Sequence, residues 1–260
     1  MTGVPVALIT GSSRGIGAGI AKRLGAAGFK IILHGRQNSD WLNAIHEELT
    51  SDGVACKAIC FEQSDLDDGE EIAEEVYRQF GRLDCLVNNA GTSSLERIDV
   101  LEASVESLDV LFKTNIRGQF LLTQALAKRM IEQETRQFQS IIFITSSNAT
   151  AASVNRADYC MMKAAASMMA RSFAVRLAQD KICVYEVRPG LIYTDMTKAA
   201  RATYDKKLED GFSLINRWGT VDDVAKAIEP LLDLVRGNDD EDAFVRHGAV
   251  MGLVGSTTAH

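Results

Sequence analysis

A tyrosine and a lysine four residues apart, Tyr159 and Lys163, have the types and spacing for acid–base chemistry. On a helix, residues four apart lie on one face, and an ammonium group beside a phenol favours the ionised phenolate. Such a pair can give a proton to a carbonyl oxygen or take one from an alcohol. In isolation the pattern is more often an ordinary helix tyrosine and a solvated lysine, so its weight depends on other motifs.

A glycine-rich turn near the N-terminus has the composition of a phosphate-binding loop. It reads Thr10-Gly11-Ser12-Ser13-Arg14-Gly15-Ile16-Gly17 and separates a predicted strand from a predicted helix. Glycine permits a tight turn and a close approach of the backbone to a ligand, while the N–H groups and dipole at a helix start attract a pyrophosphate. Taken alone, the turn is also compatible with a loop that binds nothing.

Short β-branched and apolar runs alternate with longer segments that suit crossover helices. The predicted strands are Val6–Thr10, Lys30–His34, Ala55–Cys60, Leu83–Val87, Ile141–Thr145, Ile182–Val187 and Ala249–Val254. The longer segments include Ser39–Ser51, Asp67–Phe80, Leu108–Glu132 and Ala157–Gln179. This alternation predicts an α/β fold, a Rossmann-type doubly wound sheet of about seven parallel strands with helices on both faces. We expect a single domain over residues 1–260, with ligands bound beyond the C-terminal ends of the strands.

Composition and charge argue against several classes of protein. The 260 residues include 35 acidic and 28 basic ones, and the net charge of −7 disfavours a primary role in binding nucleic acid or an anionic membrane. No segment approaches the roughly 20 apolar residues of a membrane-spanning helix, and the first apolar run has no basic region before it. We therefore expect a cytoplasmic protein. No metal is expected, since the histidines are scattered, and the cysteines are expected to be buried free thiols: Cys56, Cys60, Cys85, Cys160 and Cys183.

Together these motifs resemble the short-chain dehydrogenase/reductase family, whose glycine pattern is Thr-Gly-x-x-x-Gly-x-Gly. The resemblance continues with Asn88-Asn89-Ala90-Gly91 after the fourth strand, Asn115 in the next helix, Ser146 at the end of the fifth strand and Arg188-Pro189-Gly190 at the end of the sixth. It extends from about residue 4 to residue 254. Five ordered motifs at family spacing are much more specific than any one of them.

The resemblance implies a catalytic group. Tyr159 is implied to be the general acid in ketone reduction and the base in alcohol oxidation, and Lys163 to hold the nicotinamide ribose as well. Ser146 is implied to hydrogen-bond the substrate oxygen, with Ser147 as a neighbouring alternative. Asn115 is implied to hold a water molecule in the proton relay.

The end of the second strand indicates the cofactor. An NAD enzyme usually places a carboxylate there to accept hydrogen bonds from the ribose 2′-hydroxyl, whereas this chain reads His34-Gly35-Arg36. Arg36, with Arg14, can pair with the 2′-phosphate of NADP, so NADP(H) is the preferred cofactor, with NAD(H) as the alternative. Glu62 stands where the family has Asp and is implied to reach the adenine amine, and Thr194 to meet the carboxamide. The remaining implied cofactor contacts are Gly11, Ser13, Gly15, Ile16, Gly17, Gln63, Asn89, Ala90, Gly91, Pro189, Gly190 and Ile192.

The substrate is less clearly indicated. Within the family the motif set resembles 3-oxoacyl-[acyl-carrier-protein] reductases, whose acidic carrier needs a basic docking patch; Lys128 and Arg129 can contribute to one, while Gln179-Asp180-Lys181 matches only partly. The alternatives are a dehydrogenase of a free ketone, sugar or polyol, and a non-catalytic NADP-binding sensor or scaffold.

A segment at about 194–218 is predicted to be a substrate lid, because it mixes charges with large apolar groups. Its side chains either line an apolar pocket or pack the lid itself: Tyr193, Met196, Tyr204 and Phe212. Four methionines of the Tyr159 helix are predicted to be packing groups in the core or at a dimer interface: Met161, Met162, Met168 and Met169. We expect a homodimer or homotetramer.

Overall fold

The computed structural model describes residues 3–133, 139–211, 213, 215–232 and 252–254. Seven parallel strands form one sheet in the order β3-β2-β1-β4-β5-β6-β7. They are β1 (Val6–Ile9), β2 (Lys30–Gly35), β3 (Cys56–Cys60), β4 (Cys85–Asn88), β5 (Gln139–Ile144), β6 (Ile182–Arg188) and β7 (Gly252–Val254). The order reverses between β1 and β4, and open sheets of this kind bind ligands at that point.

Eight α-helices lie in the described part of the chain. They are α1 (Gly15–Ala26), α2 (Asp40–Ser51), α3 (Glu70–Phe80), α4 (Val105–Phe112), α5 (Gln119–Glu132), α6 (Ala157–Leu177), α7 (Arg201–Glu209) and α8 (Val221–Ile228). A π-helical segment, Lys113–Gly118, joins α4 to α5.

The sheet is covered on both faces, as the unbroken apolar runs of its central strands predict. One core packs α1, α2 and α8 against the sheet through residues such as Leu24 and Ile228. The other packs α3, α5 and α6 through residues such as Val76, Leu126 and Ala170. The predicted fold class is therefore confirmed.

The segment Leu108–Glu132, which suits a crossover helix, is helical but not one continuous α-helix, because it contains the end of α4, the π-helical segment and α5. Helix α3 begins at Glu70 rather than Asp67. A π-helical segment has no characteristic amino-acid composition, so hydrophobic periodicity does not distinguish it from an α-helix. Gly118 lies so close to the Gln63 carbonyl oxygen that a β-carbon there would collide with it.

The cysteines are free, but burial holds for only two of them. Cys85 and Cys183 are buried, Cys56 and Cys160 are half-buried, and Cys60 is exposed because it ends the outermost strand, β3. Among the α6 methionines, Met169 is buried, whereas Met161 and Met168 are exposed. Two predicted features lie outside the described residues: Phe212, and 249–251 of the last predicted strand.

Among the described residues, no helix has the length and apolar character needed to cross a membrane. The same residues include no group of three His, Cys, Asp or Glu side chains arranged for a metal ion.

Candidate active site

The glycine turn lies at the start of α1, beside the point where the strand order reverses. Gly11 and Gly15 have φ values of 63° and 59°, which favour glycine. A β-carbon at Gly17 would collide with the Gly11 carbonyl oxygen, so the turn and the helix touch through glycine alone. Helix α1 has no side-chain cap and no acidic residue in its first turn. Its N–H groups therefore present a surface suited to an anion, which fits the pyrophosphate of a dinucleotide.

Hydrogen bonds join this turn to the end of β4. The Thr10 hydroxyl accepts the N–H groups of Asn89 and Ala90, each at 2.9 Å, and donates to Val87 O at 3.2 Å. The Asn89 amide donates to the carbonyl oxygens of Thr10 and Gly11 at 2.8 and 3.1 Å. Through these hydrogen bonds, Thr10 and Asn89 fix the distance between the C-terminal ends of β1 and β4.

His34, at the end of β2, forms two buried hydrogen bonds that its sequence position did not predict. Its Nδ1 accepts the Gly11 N–H at 3.0 Å, and its Nε2 lies 3.0 Å from Phe61 O. Because a carbonyl oxygen only accepts, Nε2 carries the proton and the ring is neutral. Burial lowers the pKa of His34 to about 4. The only signal in the sequence was a polar residue ending a buried strand.

Tyr159 and Lys163 occupy the first two turns of α6, as predicted. Tyr159 is buried, and the Lys163 Nζ lies 5.6 Å from the centre of its ring. The ammonium donates to Ile144 O, at the end of β5, at 3.1 Å. Lys163 is thus anchored beside Tyr159 at the C-terminal end of β5, which lies at the same edge of the parallel sheet as the glycine turn after β1.

Ser146 lies two residues after the end of β5. It is 8% exposed, and its hydroxyl accepts the Asn148 N–H at 3.1 Å. The neighbouring Ser147 donates its backbone N–H to Pro189 O at 3.0 Å, which ties the turn to the exit of β6. Helix α6, which carries Tyr159, packs against the turn that follows Ser146.

Asn115 lies in the π-helical segment and is buried. Its Oδ1 accepts the Thr92 N–H at 2.8 Å, and its Nδ2 donates to Thr92 O at 2.9 Å. Both ends of the side chain are therefore committed to the loop after β4. Oδ1 keeps a second lone pair and Nδ2 a second N–H, and these can bind a water molecule.

The two arginines expected to face a 2′-phosphate each lie near a carboxylate. Arg36 Nε is 3.5 Å from Glu62, and Arg14 Nη1 is 3.6 Å from Asp195. The Arg36 side chain is 74% exposed, and pairs this exposed are worth about 0–1 kcal/mol. Each guanidinium can therefore exchange its carboxylate for a phosphate at little cost.

Gln63, another predicted cofactor contact, is turned away from solvent. Its side chain is buried, and its Nε2 donates to Thr114 O at 2.7 Å. It therefore ties the segment after β3 to the π-helical segment, and its side-chain N–H₂ is already engaged there.

The segment 194–218 leaves and rejoins the fold beside β6. Ile192 and Gly219 form a parallel bridge, with Tyr193 N–H donating to Gly219 O at 2.9 Å. Between them lie the 3₁₀ helix Asp195–Ala200 and α7. Tyr193 and Tyr204 both contact Trp218 edge-on, so these two tyrosines pack the segment. Met196 is 57% exposed.

Asp158 immediately precedes Tyr159 and was not singled out by the sequence. Its carboxylate accepts hydrogen bonds from Ser94 and Ser107 at 2.6 and 2.5 Å, and from the Tyr159 N–H at 2.7 Å. Burial opposes ionisation, but these hydrogen bonds outweigh it and hold the pKa of Asp158 below its ordinary value. Asp158 thereby fixes the loop after β4 to the start of α6.

A family model described as short chain dehydrogenase matches residues 5–205, so this chain belongs to that family of oxidoreductases. A 3-oxoacyl-[acyl-carrier-protein] reductase of Synechocystis sp. is 32% identical over 223 residues, which are 86% of this chain and 87% of the relative.

Two solved structures extend the comparison. A 3-oxoacyl-[acyl-carrier protein] reductase of Brucella melitensis, in complex with NAD, has a TM-score of 0.88 and 36% identity and covers 97% of this chain and 96% of its own. A gluconate 5-dehydrogenase of Burkholderia cenocepacia, in complex with NADP and tartrate, has a TM-score of 0.83 and 26% identity over 97% of this chain and 94% of its own.

Proposed function

We propose that the protein is an NADP(H)-dependent oxidoreductase that interconverts a carbonyl group and a secondary alcohol. The observation that carries this proposal is the placement of Tyr159 and Lys163 at the sheet edge that also holds the glycine turn. A bound nicotinamide cofactor supplies the hydride to the carbonyl carbon, or accepts it in the reverse direction.

The protein's own residues handle the proton and the orientation. Tyr159 donates its phenolic proton to the carbonyl oxygen during reduction, and the Lys163 ammonium stabilises the phenolate that remains. Ser146 donates a hydrogen bond to the same oxygen and so fixes its position. Asn115 holds the end of the proton path, and the 194–218 segment acts as a lid that excludes water.

The preference for NADP(H) is supported by Arg36 and Arg14, which flank the cofactor end of the cleft. A 2′-phosphate carries more charge than the carboxylates these arginines now face, and a guanidinium binds phosphate through two parallel hydrogen bonds. The neighbouring structures hold NAD in one case and NADP in the other. The preference therefore rests on the two arginines.

For the substrate, the first candidate is a 3-oxoacyl thioester carried by acyl carrier protein, supported by the relatives of that activity. The second is a free ketone, sugar or polyol, favoured by the arginine and tyrosine side chains that crowd the Tyr159 end of the cleft.

A cytoplasmic location and a homodimer or homotetramer stay predictions.

The test follows the oxidation of NADPH and NADH at 340 nm with 3-oxoacyl thioesters, diketones, keto sugars and keto acids, using Tyr159→Phe as the comparison. Turnover that requires Tyr159 supports the proposal. If neither protein turns over any substrate of the panel while NADPH still binds, the result favours a non-catalytic NADP-binding sensor or scaffold.

A further inference from the structure

Cationic side chains from three separate elements lie over two tyrosine rings, those of Tyr204 and Tyr159. Arg97, in the loop after β4, donates from Nη1 to the Tyr204 hydroxyl at 3.3 Å, and its Cζ lies 5.6 Å from the ring centre. Lys207 of α7 lies 5.7 Å from the same ring. Arg156, the residue before α6, lies with its Cζ 5.3 Å from the centre of the Tyr159 ring.

In the part of the chain that the structure describes, neither Arg97 nor Arg156 forms a salt bridge. The carboxylate of Asp158, two residues after Arg156, already accepts from Ser94, Ser107 and a backbone N–H. Arg97 is exposed and Arg156 is half-buried, so an anionic ligand can reach both guanidinium groups.

The guanidinium of Arg156 has unused hydrogen-bonding capacity. Its Nη2 donates to the Asn148 side chain at 2.7 Å, while its Nε–H is buried with no partner among the described residues. Such an orphaned donor needs a ligand or a water molecule.

The pKa of Tyr204 reflects the positive charges around it. Burial acts to raise the pKa of its phenol, yet the hydrogen bond from Arg97 and the charges of Arg156, Arg97 and Lys207 together hold it below its ordinary value. The positive charges that lower this pKa also stabilise an anionic ligand placed beside them.

The position of Arg156 connects these charges to the reaction. Asn148, which it contacts, lies two residues after Ser146, and its own guanidinium lies over the Tyr159 ring. An anion bound to Arg156 therefore lies only a few bonds from a carbonyl carbon held by Ser146 and Tyr159.

We propose that Arg156 and Arg97 form an anion subsite that selects substrates with a carboxylate or phosphate a few bonds from the reacting carbon. Guanidinium groups match both anions through paired, charge-assisted hydrogen bonds. This subsite rests on the proposed function, since Tyr159 defines where the reacting carbon lies. It favours short oxo or hydroxy acids, or their phosphorylated counterparts, over a 3-oxoacyl thioester, which is uncharged around its ketone.

The kinetic test compares pairs of substrates that differ only in charge: a keto acid with its methyl ester, and a phosphorylated ketose with the free ketose. We expect Arg156→Gln to lower the ratio of kcat/KM for the charged over the uncharged member at least tenfold, with Arg97→Gln following in the same direction. Arg156→Lys, which keeps a charge, retains part of the ratio. The pair that responds identifies carboxylate or phosphate as the ligand.

Arg78→Gln is the matched control, because Arg78 pairs with exposed glutamates on α3, away from the cleft. It should leave the ratio unchanged. An unchanged ratio in Arg156→Gln overturns the subsite, since Arg156 would then act only by shaping the tyrosine. Preference of the wild type for the uncharged member overturns it as well.

A binding measurement separates the subsite from the activity. Calorimetric titration of tartrate, and separately of inorganic phosphate, into the protein saturated with NADP⁺ should give a Kd at least fivefold weaker in Arg156→Gln than in wild type or Arg78→Gln. Arg156-dependent binding without any turnover supports the subsite and contradicts the proposed function. Turnover of neutral substrates with Arg156-independent binding supports the function and contradicts the subsite.

Discussion

The backbone N–H of Gly11 donates to Nδ1 of His34 at 3.0 Å, so the first glycine of the phosphate-binding turn is held by an imidazole that must be neutral. The ring also stacks on Phe61, with 3.9 Å between ring centres. A protonated Nδ1 would point a hydrogen at the Gly11 N–H and break this contact. The turn and the second strand are therefore joined in a way that depends on pH.

Acid should weaken the protein through His34. Its pKa is lowered from 6.5 to about 4 by burial, so the unfolded chain takes up the proton at higher pH than the folded one. The stabilisation is complete above pH 6.5 and is lost as pH falls towards 4, by about 3 kcal/mol in total. Urea unfolding of wild type and His34→Gln at several pH values should show their difference in free energy shrinking across this window. Parallel pH curves would contradict the prediction.

Removal of the Tyr159 hydroxyl should abolish proton transfer while sparing the cofactor. We expect Tyr159→Phe to lower kcat at least 100-fold, in line with the usual contribution of a general acid, and to leave the NADPH Kd within about threefold. Fluorescence titration measures the binding. Tyr77→Phe is the control, because Tyr77 lies on α3 and its buried hydroxyl has no partner among the described residues. A fall in kcat of equal size in both variants would refute the assignment.

Cofactor preference should respond to both members of the Arg36–Glu62 pair, in opposite directions. Arg36→Asp removes the phosphate partner, so the NADPH over NADH ratio of kcat/KM should fall at least tenfold. Glu62→Gln removes the carboxylate 3.5 Å from that guanidinium, so the ratio should rise about two- to fivefold. Steady-state kinetics with each cofactor measures both ratios. Equal efficiencies with the two cofactors in the wild type would count against the NADP assignment.

Asn115 should matter for stability as well as for rate. Asn115→Ala leaves the Thr92 N–H and carbonyl without their present partners, which should cost about 2 kcal/mol of unfolding free energy. Because the same change loosens the loop beside Tyr159, kcat should fall too. Thr92→Ala keeps those backbone groups paired and should change stability by less than about 0.5 kcal/mol. Calorimetric unfolding of both variants tests the difference.

The sequence predicted the fold, and it placed the candidate site at one edge of the sheet because the glycine turn, Asn88-Asn89-Ala90-Gly91 and Ser146 come at strand ends, which share one edge in a parallel sheet. It did not predict the contacts of Arg97 with Tyr204, which are 107 positions apart. Nor did it show that His34 is committed to Gly11, or that Asn115 sits in a π-helical segment. Such pairings depend on packing between distant segments, and neither spacing nor periodicity records them.

The bridge between Ile192 and Gly219 joins the two ends of the 194–218 segment to each other. Gly219 is needed there, because a β-carbon would meet the Ile192 side chain at 2.5 Å. Since both ends are fastened to each other at the exit of β6, residues between them can be exchanged without altering the register of the sheet. Substrate range can thus diverge by substitution in this one segment while the hydride and proton machinery stays as it is.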